Sequence, residues 1–372
     1  MSLPRTATPR LARAFNDRLT LDLLVEHGEL TAPRLRELTG LSRPTVSDVL
    51  QRLTDAGLIR TSGIAHADRR PGPRARRYAV VPDVAYVAAA DLGCGPGTLH
   101  VTDLSNSTVA EIDLSAVVEP AGGAGLEEAL RAAGVNALHT VVLAVHDVAV
   151  LSPGGSCAGL MAALRAAGCP APMVESPARA ATTAALRAGE SRTFALLWLG
   201  CCVDLAVVLD GRLYRGVSGS VGALGALRVG TVPVQELLGG AVVRELAHRC
   251  GLTRADLAAG TGGHGGRVAL AGLAANTATV VAGLAAVLDP GRILLGGELG
   301  AEGGEHFAAL VRARLAELAC PPVEVRPSAA GPAVVREGAL LMAQDVARAD
   351  LWPDTSTPYQ ASPSNGAAGT GG

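Results

Sequence analysis

Residues 30–60, LTAPRLRELTGLSRPTVSDVLQRLTDAGLIR, leave the backbone little choice: a short helix, a tight turn, a second helix and an exit strand. Thr31 offers a side-chain oxygen to cap a first helix running to about Thr39, and Gly40 supplies the sharp turn. Ser42 caps a second helix whose first turn accepts Pro44. Within it Val46, Val49, Leu50 and Leu53 recur at i, i+3, i+4 and i+7, so one stripe packs inward. The opposite face carries Arg43, Thr45, Ser47 and Asp48, short polar groups and one long cation of the types that reach base edges and phosphates from a helix N-terminus. This is the layout of a helix-turn-helix whose second helix enters a DNA major groove.

The stretch that follows, TSGIAHADRRPGPRARRY, is too polar and too rich in Pro and Gly to be core. Arg69, Arg70, Arg74, Arg76 and Arg77 surround Pro71-Gly72-Pro73, which stiffens the loop so that its cations can lie along a backbone or in a minor groove. Alone, such a run reads equally well as a solvated linker. Placed directly after a helix-turn-helix it reads as a wing. Charge partition agrees: the chain is −2 overall, yet residues 1–80 hold 14 arginines against 8 acidic residues, while the remainder holds 18 against 26. A basic head on an acidic body is the asymmetry expected when one domain meets phosphate, so double-stranded DNA is the expected partner.

With 372 residues, 49% of them hydrophobic, the chain can bury more than one core. Apolar stretches such as Val141–Leu151 are interrupted by His146 and Asp147, so none is expected to reach the roughly 20 residues that span a bilayer. The N-terminus lacks an apolar signal core, which makes the expected location cytoplasmic, with no membrane partner. Seven cysteines form no C-x-x-C pair and no disulfide framework. The expected organisation is an arm over 1–15, a winged helix-turn-helix over 16–80, a two-lobed body over 82–350 and a disordered tail over 351–372.

The body shows an internal duplication. VAYVAAADLG, TLHVTDLSN and STVAEIDL form one run of strand-like segments, and RTFALLWLG, CVDLAVVLDG and RLYRGVSG form a second about a hundred residues later. In each set an Asp is followed closely by turn residues, Asp103 by Ser105 and Asn106, and Asp210 by Gly211. Helical stretches at 126–134, 177–190, 234–251 and 267–288 fill the gaps, which predicts an α/β body with a cleft between two lobes.

These segments resemble the ROK family, bacterial sugar kinases and sugar-responsive repressors on an actin-like, ribonuclease-H-like fold. In particular the chain is similar to the repressor branch typified by xylose and N-acetylglucosamine regulators. The resemblance rests on Asp91-Leu92-Gly93 before a hairpin ending in Thr102-Asp103-Leu104, and on the run Leu209 to Gly216. It rests also on Leu288-Asp289-Pro290 with Ile293 to Gly297, and on Ser328 with Arg336-Glu337-Gly338-Ala339. It implies a winged helix-turn-helix ahead of a kinase-like body, and it implies where kinase chemistry would sit.

That chemistry is missing. A kinase needs an aspartate to take the sugar hydroxyl proton. Where the family places an Asn-Asp pair, this chain reads Ser176-Pro177, with Glu175 a poorly placed substitute. The first phosphate hairpin is Gly93-Cys94-Gly95-Pro96-Gly97-Thr98, in which Pro96 removes an N–H donor. The second is Gly200-Cys201-Cys202-Val203-Asp204, where Asp204 puts negative charge in a phosphate position. The sugar-contacting Glu-x-Gly-His of the family corresponds to Ala223-Leu224-Gly225-Ala226, and Leu227–Val234 contains none of the cysteines of the family's zinc site. Only Glu236 persists of the sugar contacts the family would place there.

The resulting expectation is a DNA-binding transcriptional regulator, a repressor in type, whose body is a dimerising or tetramerising scaffold without catalysis, cofactor or metal. Its candidate effector cleft comprises Glu175, Arg179, Arg215 and Glu236. The alternatives are a ROK-type sugar kinase, which fold alone would permit, and a purely structural oligomeriser without a ligand.

Overall fold

In the computed structural model, which describes residues 9–64, 75–93, 97–115, 123–146, 151, 155, 157–328 and 332–352, the N-terminal caps form as their chemistry predicts. Helix α1 spans Pro9–His27, a two-residue strand β1 Leu30–Thr31, α2 Ala32–Thr39 and α3 Arg43–Asp55. Thr31 accepts a hydrogen bond from the Arg34 N–H, and Ser42 from that of Thr45. Gly40 takes a left-handed conformation (φ 69°) between the two helices. Strands β2 (Ile59–Ile64) and β3 (Arg76–Val80) complete the winged domain as an antiparallel pair, with β1 on the far edge of β3. Val46, Val49, Leu50 and Leu53 are buried against Leu21 and Leu24 of α1 and Leu35 of α2. Because α1 starts at Pro9, the segment expected as an arm over 1–15 is helical from that residue onward.

The duplication is a duplication of topology. In the first lobe β4 (Tyr86–Asp91), β5 (Thr98–Asp103), β6 (Thr108–Asp113), β7 (Thr140–Ala144) and β8 (Met173–Glu175) lie in the order β6-β5-β4-β7-β8. In the second, β9 (Phe194–Leu199), β10 (Val203–Leu209), β11 (Arg212–Tyr214), β14 (Arg292–Gly296) and β15 (Glu324–Pro327) lie in the order β11-β10-β9-β14-β15. In both sheets the first three strands form an antiparallel meander and the last two run parallel to its first strand. The two meander turns use the residues flagged by sequence: Asn106 and Asp210 adopt positive φ (65° and 51°), and the Asp103 carboxylate accepts from the Ser105 and Ser107 N–H groups. A small hairpin, β12 (Arg228–Val229) with β13 (Val232–Pro233), precedes the helices of the second lobe.

The helices of the body are α4 (Gly123–Ala132), α5 (Ala158–Ala166), α6 (Pro177–Arg187), α7 (Val234–Leu238), α8 (Gly240–Arg249), α9 (Arg254–Ala258), α10 (His264–Leu288), α11 (Gly297–Leu315) and α12 (Pro332–Leu351). Helices α6 and α12 pack on each other and fill the layer between the sheets, where Ala178, Ala181, Val335 and Ala343 meet Val87, Ala89, Leu196 and Ala206. Their approach is close enough that a Cβ at Gly338 would overlap the Ala180 carbonyl. The same apolar cluster includes Trp352 and the core of the winged domain. Asp22 of α1 also lies within the field of Arg348, Arg187 and Asp345 of the body, and burial raises its carboxyl above the ordinary range.

One expectation fails here. Helix α10 is long and apolar enough to cross a membrane by length and composition, because its Ala, Gly and Val run is unbroken by charge after Arg267. Half of an 18-residue apolar window within it is buried, with Leu270, Leu273, Ala278, Val281 and Leu284 in the core of the second lobe. Of the expected tail, Leu351 closes α12 and Trp352 is buried, while residues 353–372 lie outside the described residues.

Candidate nucleic-acid interface and interlobe cleft

A groove of about 700 Å³ runs between α2, α3 and the β2–β3 wing. Arg43, Ser47 and Gln51 line it at i, i+4 and i+8 of α3, with Arg36 from α2 on one side and Arg76 and Tyr78 from β3 on the other. Arg43, Ser47 and Arg76 are exposed. Thr45 and Asp48 stand elsewhere on the helix. Thr45 shares a 2.8 Å hydrogen bond with the Ser42 hydroxyl, and Asp48 pairs with Arg52, which also grips Asp17 of α1 at 2.5 Å. Asp48 therefore has a structural partner within the domain. Arg77 lies 3.4 Å from Glu29. Arg69, Arg70 and Arg74 lie outside the described residues. Reasoning from sequence missed Arg36 and Gln51; the i+4 spacing from Arg43 and Ser47 was the signal for Gln51.

A second cavity, about 560 Å³, opens between the lobes. It is lined by Glu175, Ser176 and Arg179 from the first lobe's edge, by Asp204 and Gln235 from the second, and by His146. Ser176 is the N-cap of α6 and Pro177 its first residue, so the site of the expected Asn-Asp pair is a helix start with no base. Glu175 is buried and held by Arg215 and, at 3.6 Å, by Arg179. Arg179 also donates to the carbonyls of Gly219 and Val221. Glu175, Arg179 and Arg215 thus lie together. Glu236 is not: it is exposed on α7, and its neighbour Gln235 faces the cleft, accepting from the Val203 N–H and donating to the Cys201 carbonyl, both at 2.8 Å. Burial raises the Asp204 carboxyl above its ordinary range.

At each hairpin that would cradle phosphates, a side chain from elsewhere in the chain lies against one glycine. A Cβ at Gly93 would overlap the His146 imidazole, and one at Gly200 would overlap the Glu298 carboxylate. Residues 94–96, Pro96 included, lie outside the described residues. Burial pushes Asp91 up to about 6, with the Glu298 carboxylate adding to the rise and the Gly93 N–H bond opposing it. The folded carboxyl so holds its proton to a higher pH than the unfolded one, and stability falls as pH rises from about 4 to about 6. Asp91→Asn keeps the acceptor for Gly93 and removes this cost. It should stabilise the protein at pH 7.5 by up to about 3 kcal/mol and flatten that decline, read by urea unfolding across pH. An unchanged pH profile would show that Asp91 ionises normally. The donor set for zinc does not fit either: Leu227–Val234 has no Cys or His, and among the described residues no three His, Cys, Asp or Glu side chains converge.

Residues 15–70 match the MarR family. Over the chain, the crystal structure of a ROK family transcriptional regulator, a homologue of the E. coli MLC protein, superposes with a TM-score of 0.62 at 17% identity, covering 90% of this chain and 99% of that one. The ROK hexokinase of Thermus thermophilus (TM-score 0.55, 19% identity) covers 71% of this chain and 99% of its own. The ROK glucokinase of Streptomyces griseus, solved with glucose and AMPPNP (0.54, 15%), covers 70% and 99%. The bifunctional enzyme NanE/NanK of Brucella melitensis is 33% identical over 125 residues, 32% of this chain, and the chain spans 24% of that relative's length. A MarR-type winged helix therefore precedes a body with the two-lobed ROK fold, and the regulator structure is matched over a larger share of the chain than the kinases are.

Proposed function

We propose that this chain is a sequence-specific, cytoplasmic DNA-binding transcriptional repressor whose ROK-type body dimerises or tetramerises and senses an effector, without phosphoryl transfer. The observation that carries the reading is the groove in which Arg36, Arg43 and Arg76 converge from three elements of a basic winged domain. Cations there neutralise phosphates, while Ser47 and Gln51 reach base edges. Pro177 at the position the resemblance gives to the base, with His146 and Glu298 against the hairpin glycines, supports the reading without turnover. A winged domain alone makes a small interface, so two half-sites related by a two-fold axis supply the affinity that one cannot. An effector would enter the 560 Å³ cleft, which offers Ser176, Ser220 and Gln235 as hydrogen-bonding groups.

Selection from random duplexes with the full chain is the test. An inverted repeat should be enriched, and no hexose should be phosphorylated above a blank. A library with no enriched motif would sink the regulator reading, and ATP-dependent turnover of a hexose would restore the kinase.

A further inference from the structure

The polar side chains of the interlobe cleft are bonded within the chain. Glu175 is held by Arg215 and Arg179, and Arg179 donates to the carbonyls of Gly219 and Val221. The Asp204 carboxylate accepts from the Leu205 N–H at 2.9 Å and from the Ser176 hydroxyl, which itself accepts from the Arg179 N–H at 3.3 Å. Gln235 bridges the Val203 N–H and the Cys201 carbonyl. His146 has its Nδ1 screened from solvent without a partner, and its Nε2 lies against Gly93. Burial lowers the imidazole's pKa from its ordinary value, so the ring is uncharged at neutral pH. Ser220 is exposed, and its hydroxyl bonds to nothing among the described residues.

The surface left open to a ligand is apolar. Val174, 40% exposed, lines the first lobe's side with Val145 and Pro177, and the exposed Ala223 and Ala226 line the second lobe's side with Val203. A free sugar would bring about five hydroxyls, each leaving water for walls with almost no free partner. An apolar body gains by the same transfer. Charge is balanced as well: Arg179 and Arg215 stand against Glu175 and Asp204, so the cleft has no net charge to offer an ion. Apolar walls around about 560 Å³ with one free hydroxyl match the ordinary form of a small-molecule site.

We propose that the cleft binds an uncharged small molecule with an apolar body and a single hydrogen-bonding group, the body lying between Val174 and the Ala223/Ala226 wall and the polar group at Ser220. This ligand class rests on the effector site proposed above, and it departs from free hexoses and pentoses.

The test titrates N-phenyl-1-naphthylamine, whose fluorescence rises in apolar surroundings, into the full chain and into Val174→Asp, Ala226→Asp and Leu227→Asp. The probe is uncharged, has one N–H and about 17 heavy atoms, enough for micromolar affinity. Each substituted residue is exposed, so circular dichroism should report folded variants, and either cleft variant suffices if the other unfolds. Leu227 lines a separate apolar groove beside α10 and is the control. The expected result is saturable binding, with a dissociation constant raised at least ~10-fold in the two cleft variants and unchanged in Leu227→Asp, because a buried carboxylate opposes an apolar ligand. Glucose and N-acetylglucosamine at millimolar concentration should not displace the probe. No saturable binding, equal binding by all four proteins, or a loss confined to Leu227→Asp would overturn the proposal. Displacement by either sugar would overturn the ligand class and leave the effector site standing. Release from the selected duplex is followed in parallel, and a probe bound in the cleft without effect on the duplex would uphold the ligand class and overturn the sensing role.

Discussion

Arg43→Ala is expected to weaken binding to the selected operator by about 1–3 kcal/mol, roughly 5- to 150-fold, while binding to random duplex changes far less. Arg43 is the first residue of α3, exposed, and shares the groove wall with Ser47 and Gln51. A guanidinium there can make the paired contacts to guanine that carry sequence information. Arg76 supplies the contrast. It stands on β3 across the groove, so Arg76→Ala should weaken specific and random duplexes alike and lower the salt slope of log K by about one. Titration against both duplexes at several salt concentrations checks both variants. Equal losses on both duplexes for Arg43→Ala would move Arg43 from base reading to phosphate contact.

Local chemistry made much of this molecule legible in its sequence. Thr31, Ser42 and Gly40 cap and turn within a few residues of themselves, and the stripe from Val46 to Leu53 buries because its period matches the helix. The two meanders were readable for the same reason, since each is closed by its own turn residues. What escaped depends on contacts between distant segments or on helices too short for periodicity to decide a face. Helix α7 has five residues, so whether Gln235 or Glu236 looks into the cleft is set by its packing beneath β10 and not by its pattern. His146 over Gly93 and Glu298 over Gly200 join residues far apart in the chain. Arg179 and Arg215 stand out in the sequence, but their engagement with Glu175 and with the carbonyls of Gly219 and Val221 does not, because only the folded lobes bring residue 175 to residue 215.

That engagement carries the other large effect. Arg179→Ala/Arg215→Ala should destabilise the protein by about 3–5 kcal/mol, because it leaves a buried carboxylate with neither of its cations. Glu175 has a side chain 3% exposed, and its partners are 15% and 24% exposed, so solvent can replace little of what is lost. Adding Glu175→Gln to the double variant should recover part of the loss, since a neutral amide needs no counter-ion. The cycle is read by urea unfolding, with Glu175→Gln alone as the fourth corner. A loss below about 1 kcal/mol for the double variant would mean that Glu175 is solvated and the pairs behave as surface ion pairs. The outcome bears on the effector sensing proposed above. Glu175 ends β8 of the first lobe and Arg215 follows β11 of the second, so the pair ties the two lobes. A ligand that binds by drawing either arginine away must offset the cost of exposing Glu175. On the function proposed above, an effector that leaves the tie intact and bonds to Ser176 or Ser220 meets no such cost, which favours a neutral ligand over a phosphorylated one.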